Sequence, residues 1–252
     1  MTLLTQVGGV VWLLCFYIFS KIKAKPSKLQ RLAMFVVTYL VISIFLIPNI
    51  SKFGGRERLP ISQKNNLVPH NYFTVICNRN YVTADFHKTL KAVAKNYAKE
   101  FSSSKISYLD ANFPFFDGFP LLPHISHSDG RKIDLSFQYL KDNKPTQKKP
   151  STSGYGAFVG PTPDKNELLE KCKKTNAIYG FTKYLRFGGP RNLSLDEVRT
   201  KRLIKLLLRE GSTHKIFIEP HLKQRMRLSD PRIRFQGCHS VRHDDHIHWQ
   251  VL

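Results

Sequence analysis

Two stretches near the N-terminus carry no charged residue, and they constrain this chain more than anything that follows. "LLTQVGGVVWLLCFYIFS" covers residues 3–20 and "LAMFVVTYLVISIFLIP" covers 32–48. Each approaches the roughly 20 apolar residues that a helix needs to cross a bilayer. The expected arrangement is a membrane hairpin of two transmembrane helices over residues 1–50. A linker at 51–70 and a folded domain at 71–252 follow it. Thr5, Gln6 and the Gly8-Gly9 pair weaken the first span. A cleaved signal peptide is the main rival reading. Such peptides carry positive charge before the apolar core, whereas here the charge comes after it.

The loop between the spans, "KIKAKPSKLQR", has five cations and no anion. Positive loops stay in the cytoplasm, so the C-terminal domain is expected in the periplasm or outside the cell. Lys52, Arg56 and Arg58 argue weakly the other way. If only the second span inserts, its N-terminal side still carries the larger charge and the domain still lies outside. The net charge is +22, and removing the five loop cations leaves +17 (22 − 5) on residues 51–252. A basic domain is attracted to polyanions. Nucleic acid, anionic lipid and anionic wall polymer all qualify, and net charge does not choose among them. Of four cysteines, Cys15 lies in the first span and Cys77, Cys172 and Cys238 in the domain. Three allow at most one intramolecular disulfide, in three possible pairings. The absence of a CxxC spacing argues against a thiolate zinc knuckle.

Periodicity in the domain predicts mixed elements. "YFTVIC" (72–77), "KISYLDANF" and "HKIFIEP" read as strands. Residues 83–101 read as a helix with Thr83 as its cap, because Phe86, Leu90, Val93, Ala94 and Tyr97 recur at helical spacing. "NELLEKCKKTNAIYGF" is a further helix candidate. "SLDEVRTKRLIKLLLREG" (194–211) reads as a helix with a Ser194–Glu197 capping box and Gly211 as its stop. "FPFFDGFPLLPH" reads as a loop against the core. Residues 141–165, rich in Pro, Gly, Ser and Lys, form a loop long enough to be functional or disordered. No βα repeat appears, so the fold class is α+β, an antiparallel sheet with flanking helices behind two transmembrane helices.

Two segments carry the chemistry. In "KIDLSFQYL", Ile133, Leu135 and Phe137 share one face and Asp134, Ser136 and Gln138 the other. In "HIHWQVL", His246, His248 and Gln250 share one face, while Ile247, Trp249 and Val251 share the apolar one. Side by side, these strands would bring Asp134 to His248, and His127 could swing in from the preceding loop. Two histidines, a carboxylate and an open fourth position make a catalytic zinc site.

The paired motifs resemble those of the LAS metallopeptidases, and most of all the penicillin-insensitive murein endopeptidases. Their H-x-x-H-x6-D motif is matched by "HISHSDGRKID", their H-D-D-H-x-H motif by "HDDHIH", and a segment before the second motif by "KIFIEPHLKQRM". The resemblance covers about residues 70–140 and 200–252. It implies one zinc ion per chain on His127, Asp134 and His248, with His246 as the catalytic histidine. Asp245 stands where related dipeptidases have a general base, although strict alternation would point it away from the metal. His124 and His243 match positions that orient ligands or substrate, and Arg242 would bind a substrate carboxylate or remain a solvated cation. The chain departs from the family in its N-terminal tether, in its three domain cysteines, and in "CHSV", where Trp and Gly usually precede the second motif.

The implied protein is a membrane-anchored zinc metallopeptidase, of murein endopeptidase or D-Ala-D-Ala carboxypeptidase type. It would hydrolyse D-Ala-containing peptide cross-links of peptidoglycan, with peptidoglycan peptide stems and the membrane as partners and no nucleic acid expected. The alternatives are a catalytically inactive zinc-binding wall protein and a metal-dependent nuclease. The nuclease would require a cytoplasmic domain, which the charged loop opposes.

Overall fold

The computed structural model describes every residue except 24, 25, 103, 164 and 165. Lys25 of the charged loop and Lys165 at the end of the long loop therefore lie outside the described residues.

The first expected span is broken. A short helix α1 (Thr2–Thr5) ends at Gln6, whose φ of 64° is left-handed, and α2 (Gly8–Lys21) follows. The 14 residues of α2 extend about 21 Å, short of the ~30 Å hydrocarbon core. The second stretch is one continuous helix, Lys28–Phe53, built from α3 (Lys28–Val41), a wider π turn at Ile42–Leu46, and α4 (Ile47–Phe53). Its 26 residues extend about 39 Å. Among the described residues it is the one helix long and apolar enough to cross a membrane; near an N-terminus, a signal sequence meets the same criterion. The hairpin of two full spans thus reduces to one candidate membrane helix. Its π turn has a local cause. Pro48 has no N–H to give the Ile44 carbonyl and would clash with it in a regular helix. The freed Ile44 carbonyl accepts instead from Arg58 Nη1 at 3.2 Å. Val11 and Cys15 of α2 pack against Phe35 and Tyr39 of α3.

Residues 51–70 carry two strands. β1 (Arg56–Arg58) follows the helix after a turn at Gly54–Gly55, and β2 (Leu67–Pro69) enters the main sheet. "YFTVIC" is helical rather than extended: α5 (Tyr72–Ile76) starts because the Asn71 side chain accepts from Thr74 N, a local bond that overrides the β-prone composition. β3 (Tyr81–Thr83) pairs with β1. It leads into α6 (Ala84–Glu100), whose five expected apolar residues are all buried. β4 (Ile106–Tyr108), β5 (Lys132–Ser136) and the hairpin β6 (Tyr139–Lys141) and β7 (Lys144–Thr146) follow. Next come α7 (Glu167–Thr175), a 3-10 helix at Ala177–Leu185, and β8 (Leu193–Leu195). α8 (Glu197–Arg209) is capped by Asp196, not Ser194, because Ser194 is drawn into pairing with Leu140. β9 (Thr213–Phe217), α9 (Pro220–Arg225), β10 (Ile233–Arg234) and β11 (His246–Val251) complete the chain.

The main sheet has six strands in the order β10-β9-β11-β5-β4-β2. Its centre is antiparallel and its two edge pairs are parallel. The class is α+β with a mixed sheet and flanking helices. Ile133 and Leu135 of β5 and Ile247 and Trp249 of β11 join α6 and α8 in one core. Full burial of an aliphatic chain of this kind stabilises by about 1.5–3 kcal/mol. Phe86 meets Trp249 edge-on with ring centres 4.9 Å apart, and the indole N–H donates to Thr213 Oγ1 at 3.0 Å. With that face turned to the core, the polar faces of β5 and β11 must turn to the other side. A disulfide joins Cys172 of α7 to Cys238, leaving Cys15 and Cys77 as buried thiols.

His70, between β2 and α5, supports an acid-lability prediction. Its Nε2–H donates to the Ser151 carbonyl at 2.8 Å. Burial, with Lys149 nearby, lowers its pKa to about 4. The unfolded chain therefore binds a proton here between about pH 6.5 and 4 that the folded chain refuses. This contribution to stability is intact above pH 6.5 and is lost as pH falls through 4, by about 2 kcal/mol after allowance for partial exposure. His70→Gln should flatten the fall in denaturation midpoint over that window, measured by urea melts at each pH.

Candidate metal centre

β11 pairs with β5 in a register that sets His248 opposite Asp134 and His246 opposite Ser136. Directly opposed residues of an antiparallel pair share a face. The carboxylate and the imidazole, 114 residues apart, therefore meet: His248 Nδ1 lies 2.8 Å from Asp134 Oδ1. His127 arrives from the loop before β5. Its Nε2 is 3.2 Å from the same Asp134 oxygen and 3.0 Å from His248 Nδ1.

All three side chains are fully buried, and each is held from behind. His127 Nδ1–H donates to the Ala111 carbonyl at 2.7 Å, which leaves the Nε2 lone pair facing Asp134. The Gln250 side-chain amide lies 2.8 Å from His248 Nε2. With its oxygen turned to the ring it accepts Nε2–H and frees Nδ1 for a metal. Four-coordinate zinc with bonds near 2.0–2.1 Å separates its ligand atoms by about 3.3 Å. The three atoms here are 2.8–3.2 Å apart, so a small outward relaxation fits the ion.

A second group shares Asp134. His124 Nδ1 lies 3.1 Å from Asp134 Oδ2, and His246 Nε2 lies 3.7 Å from Oδ1. Both groups bring their ligand atoms close enough to hold a metal ion. His246 Nε2 and His124 Nε2 are buried without a hydrogen-bond partner among the described residues, while His124 Nδ1 faces the carboxylates of Asp134 and Asp110. Buried polar atoms are ordinarily satisfied, so these orphans argue that a ligand belongs at the cluster.

The electrostatics follow from burial and the two carboxylates. Burial resists charging of His246, but Asp134 and then Asp245 outweigh it and push its pKa up to about 9. Burial takes His248 down to about 4. It also holds His243 neutral, with His246 and His248 adding to the effect. Asp134 is held well below the usual carboxylate range: burial alone would raise it, and His127, His246 and His124 reverse the sign.

Asp245 contacts His246 rather than the ligand atoms. Its Oδ1 accepts from His246 Nδ1 at 2.5 Å, and its Oδ2 accepts from the Gly156 N–H at 2.5 Å. His243 borders the cluster, its ring centre 4.9 Å from that of His246. Its N–H donates to buried Glu219. Arg242 is not a solvated cation. It is buried and paired with Asp244 through Nε at 2.7 Å, and stacks 3.9 Å over the Phe158 ring centre.

Three contributors escaped sequence reasoning. Asp110, just beyond β4, pairs with Arg79 at 2.7 Å. Tyr155, from the long loop, puts its hydroxyl 2.8 Å from Asp134 Oδ2 and 3.2 Å from Asp110 Oδ2, and accepts from Asp110 N. Burial and the two carboxylates raise the Tyr155 pKa well above normal, so it stays a donor. Its place depends on Gly156, whose φ is +79° and where a Cβ would stand 2.4 Å from the Thr182 carbonyl oxygen. The glycines of "SGYGAF" were the only signal.

Tyr155→Phe deletes the bond that steadies Asp134 without changing its charge. Metal affinity should fall about 10–100-fold with the fold retained, as measured by competition with a chromophoric chelator.

No protein-family model matches the chain, and no curated protein shows a significant match to it.

Proposed function

We propose that this protein is a zinc-dependent amide hydrolase of the LAS metallopeptidase type, anchored by its N-terminal helix with the domain outside the cytoplasmic membrane. Its substrates are D-Ala-containing peptide cross-links of peptidoglycan. The observation that carries this reading is the meeting of His127 Nε2, Asp134 Oδ1 and His248 Nδ1 at mutual distances of 2.8–3.2 Å. Two imidazoles and one carboxylate, with a fourth position open, suit catalytic zinc better than magnesium or calcium, which prefer all-oxygen shells. When bound, the ion polarises the scissile carbonyl and brings the pKa of a water near neutrality.

The chain's own residues supply the rest. Asp134 provides the negative charge, with one oxygen toward His127 and His248 and the other held by Tyr155. Asp245 fixes the His246 ring through Nδ1, which turns Nε2 toward the cluster. A proton kept on that Nε2 stabilises developing negative charge on the carbonyl oxygen. Asp245 thus positions His246 instead of acting as the base. The Cys172–Cys238 disulfide supports an oxidising compartment, in line with the basic segment before the helix.

The test is metal content and muropeptide cleavage by the full chain in detergent, with a periplasm-active reporter fused to the C-terminus. One zinc per chain, new muropeptide products and an active reporter are expected. Zinc without products would favour a binding protein, and a silent reporter would overturn the topology.

A further inference from the structure

The histidines of the metal centre are buried, so a substrate needs a way in. A cavity of about 170 Å³ reaches them, and its lining includes His124, His243 and His248. Ile125 and Ile178 line the same cavity, and they are 64% and 54% exposed. The cavity therefore meets solvent at the two isoleucines and the metal centre at the histidines. Ile178 lies within residues 141–193, which the family resemblance does not cover, so this part of the wall is the chain's own.

The walls are tied down. The segment that carries Ile178 is joined twice to the segment that carries His243. The Cys172–Cys238 disulfide links them just ahead of the 3-10 helix, and the Arg242 N–H donates to the Tyr179 carbonyl at 3.1 Å. The Asn176 side chain accepts from Ile178 N at 2.9 Å. The segment that carries His124 and Ile125 is held through Arg79, whose Nη2–H donates to the Leu122 carbonyl at 2.7 Å. A cleft fixed in this way loses little freedom when it is filled. Its size and charge then restrict what fills it. An apolar cavity of about 150 Å³ holds a benzene molecule, and on that scale this one takes a single small residue. Among the described residues no Lys, Arg, Asp or Glu lines it. A charge carried inside would leave water without gaining a counter-ion, which is costly. Arg242, the cation expected for a substrate carboxylate, is buried and paired with Asp244 at 2.7 Å.

We infer that this cavity is the subsite for a small uncharged residue adjoining the scissile amide, and that Ile178 and Ile125 set its specificity. The inference rests on the hydrolase reading given above and narrows its substrate. An alanine-sized residue with amide bonds on both sides is accepted. A chain-terminal residue with a free carboxylate is refused, as is a side chain ending in an ammonium group.

The test uses the full chain in detergent, loaded with zinc and titrated calorimetrically with two hydroxamates of similar size. Hydroxamates chelate zinc, which seats the rest of the probe beside the metal. N-acetyl-D-alanine hydroxamate is uncharged, and succinic monohydroxamate carries a carboxylate. The uncharged probe should bind at least about 10-fold more tightly, the scale of discrimination that one pocket contact gives. Ile178→Arg places a cation at the mouth and should reverse that order with metal content unchanged. Val198→Arg, at an exposed position on α8, should keep the wild-type order. Muropeptide cleavage is assayed alongside. Equal binding of both probes by the wild type, or an order unmoved by Ile178→Arg, would overturn the subsite even where muropeptides are cleaved. The expected order without muropeptide cleavage would overturn the hydrolase reading and leave the cavity as the binding site for an uncharged residue. Zinc-loaded protein that binds neither probe would overturn the opening to the metal, and the subsite with it.

Discussion

Asp134→Asn should abolish metal binding and hydrolysis together while the domain stays folded. Asp134 is common to both His/Asp groups, so no rearrangement among the four histidines rebuilds either one without it. Asp110, which shares the Tyr155 hydroxyl with Asp134, cannot replace it, because it is tied to Arg79 at 2.7 Å. Asparagine keeps the shape and can still accept from the Tyr155 hydroxyl. It removes the anionic oxygen that two histidine nitrogens face at 2.8 and 3.2 Å. Metal content by elemental analysis should fall from one ion per chain to none. Turnover should fall to background, a loss on the order of 10⁴-fold or more on the scale of enzymatic accelerations. Circular dichroism should keep the wild-type spectrum, since Ile133, Leu135, Ile247 and Trp249 on the opposite face are untouched. A variant with a full complement of metal would place the centre elsewhere.

The carboxylate is also where the sequence was most legible. Period-two alternation in "KIDLSFQYL" and "HIHWQVL" fixes which residues share a face, and an apolar face that needs a core fixes the direction of the other. The encounter of Asp134 with His248 requires only that the two strands be neighbours. α6 was legible for the same reason, as five apolar residues recur at helical spacing. Reading failed where one local bond outweighed composition. Asn71 caps a helical turn in a β-prone run. Pairing with Leu140 draws Ser194 away from α8. Gln6 takes a left-handed φ and breaks an uncharged stretch. Tyr155 was illegible for a different reason. Nothing periodic surrounds it, and its position depends on a glycine packed against Thr182, 26 residues away. The Cys172–Cys238 pairing likewise depends on how α7 folds back, which spacing alone does not encode.

His246→Ala should separate binding from chemistry, retaining the metal and losing the rate. His246 meets Asp134 only at 3.7 Å, longer than either contact of His127 and His248. Its Nδ1 is occupied by Asp245, while its buried Nε2 has no partner. A ligand would be expected in tighter contact, and a group that acts on substrate would be expected to keep a free nitrogen. Loss of one such stabiliser of the oxyanion reduces kcat about 10²–10³-fold. Asp245→Asn should lose less, because the ring stays in place without its anionic partner. Metal content and kcat, measured together on His246→Ala and His127→Ala, decide between the two groups. If His127→Ala loses the ion and His246→Ala keeps it, the centre is His127, Asp134 and His248. The reverse pattern would move it to His124, Asp134 and His246, and would leave His127 and His248 as the residues facing substrate.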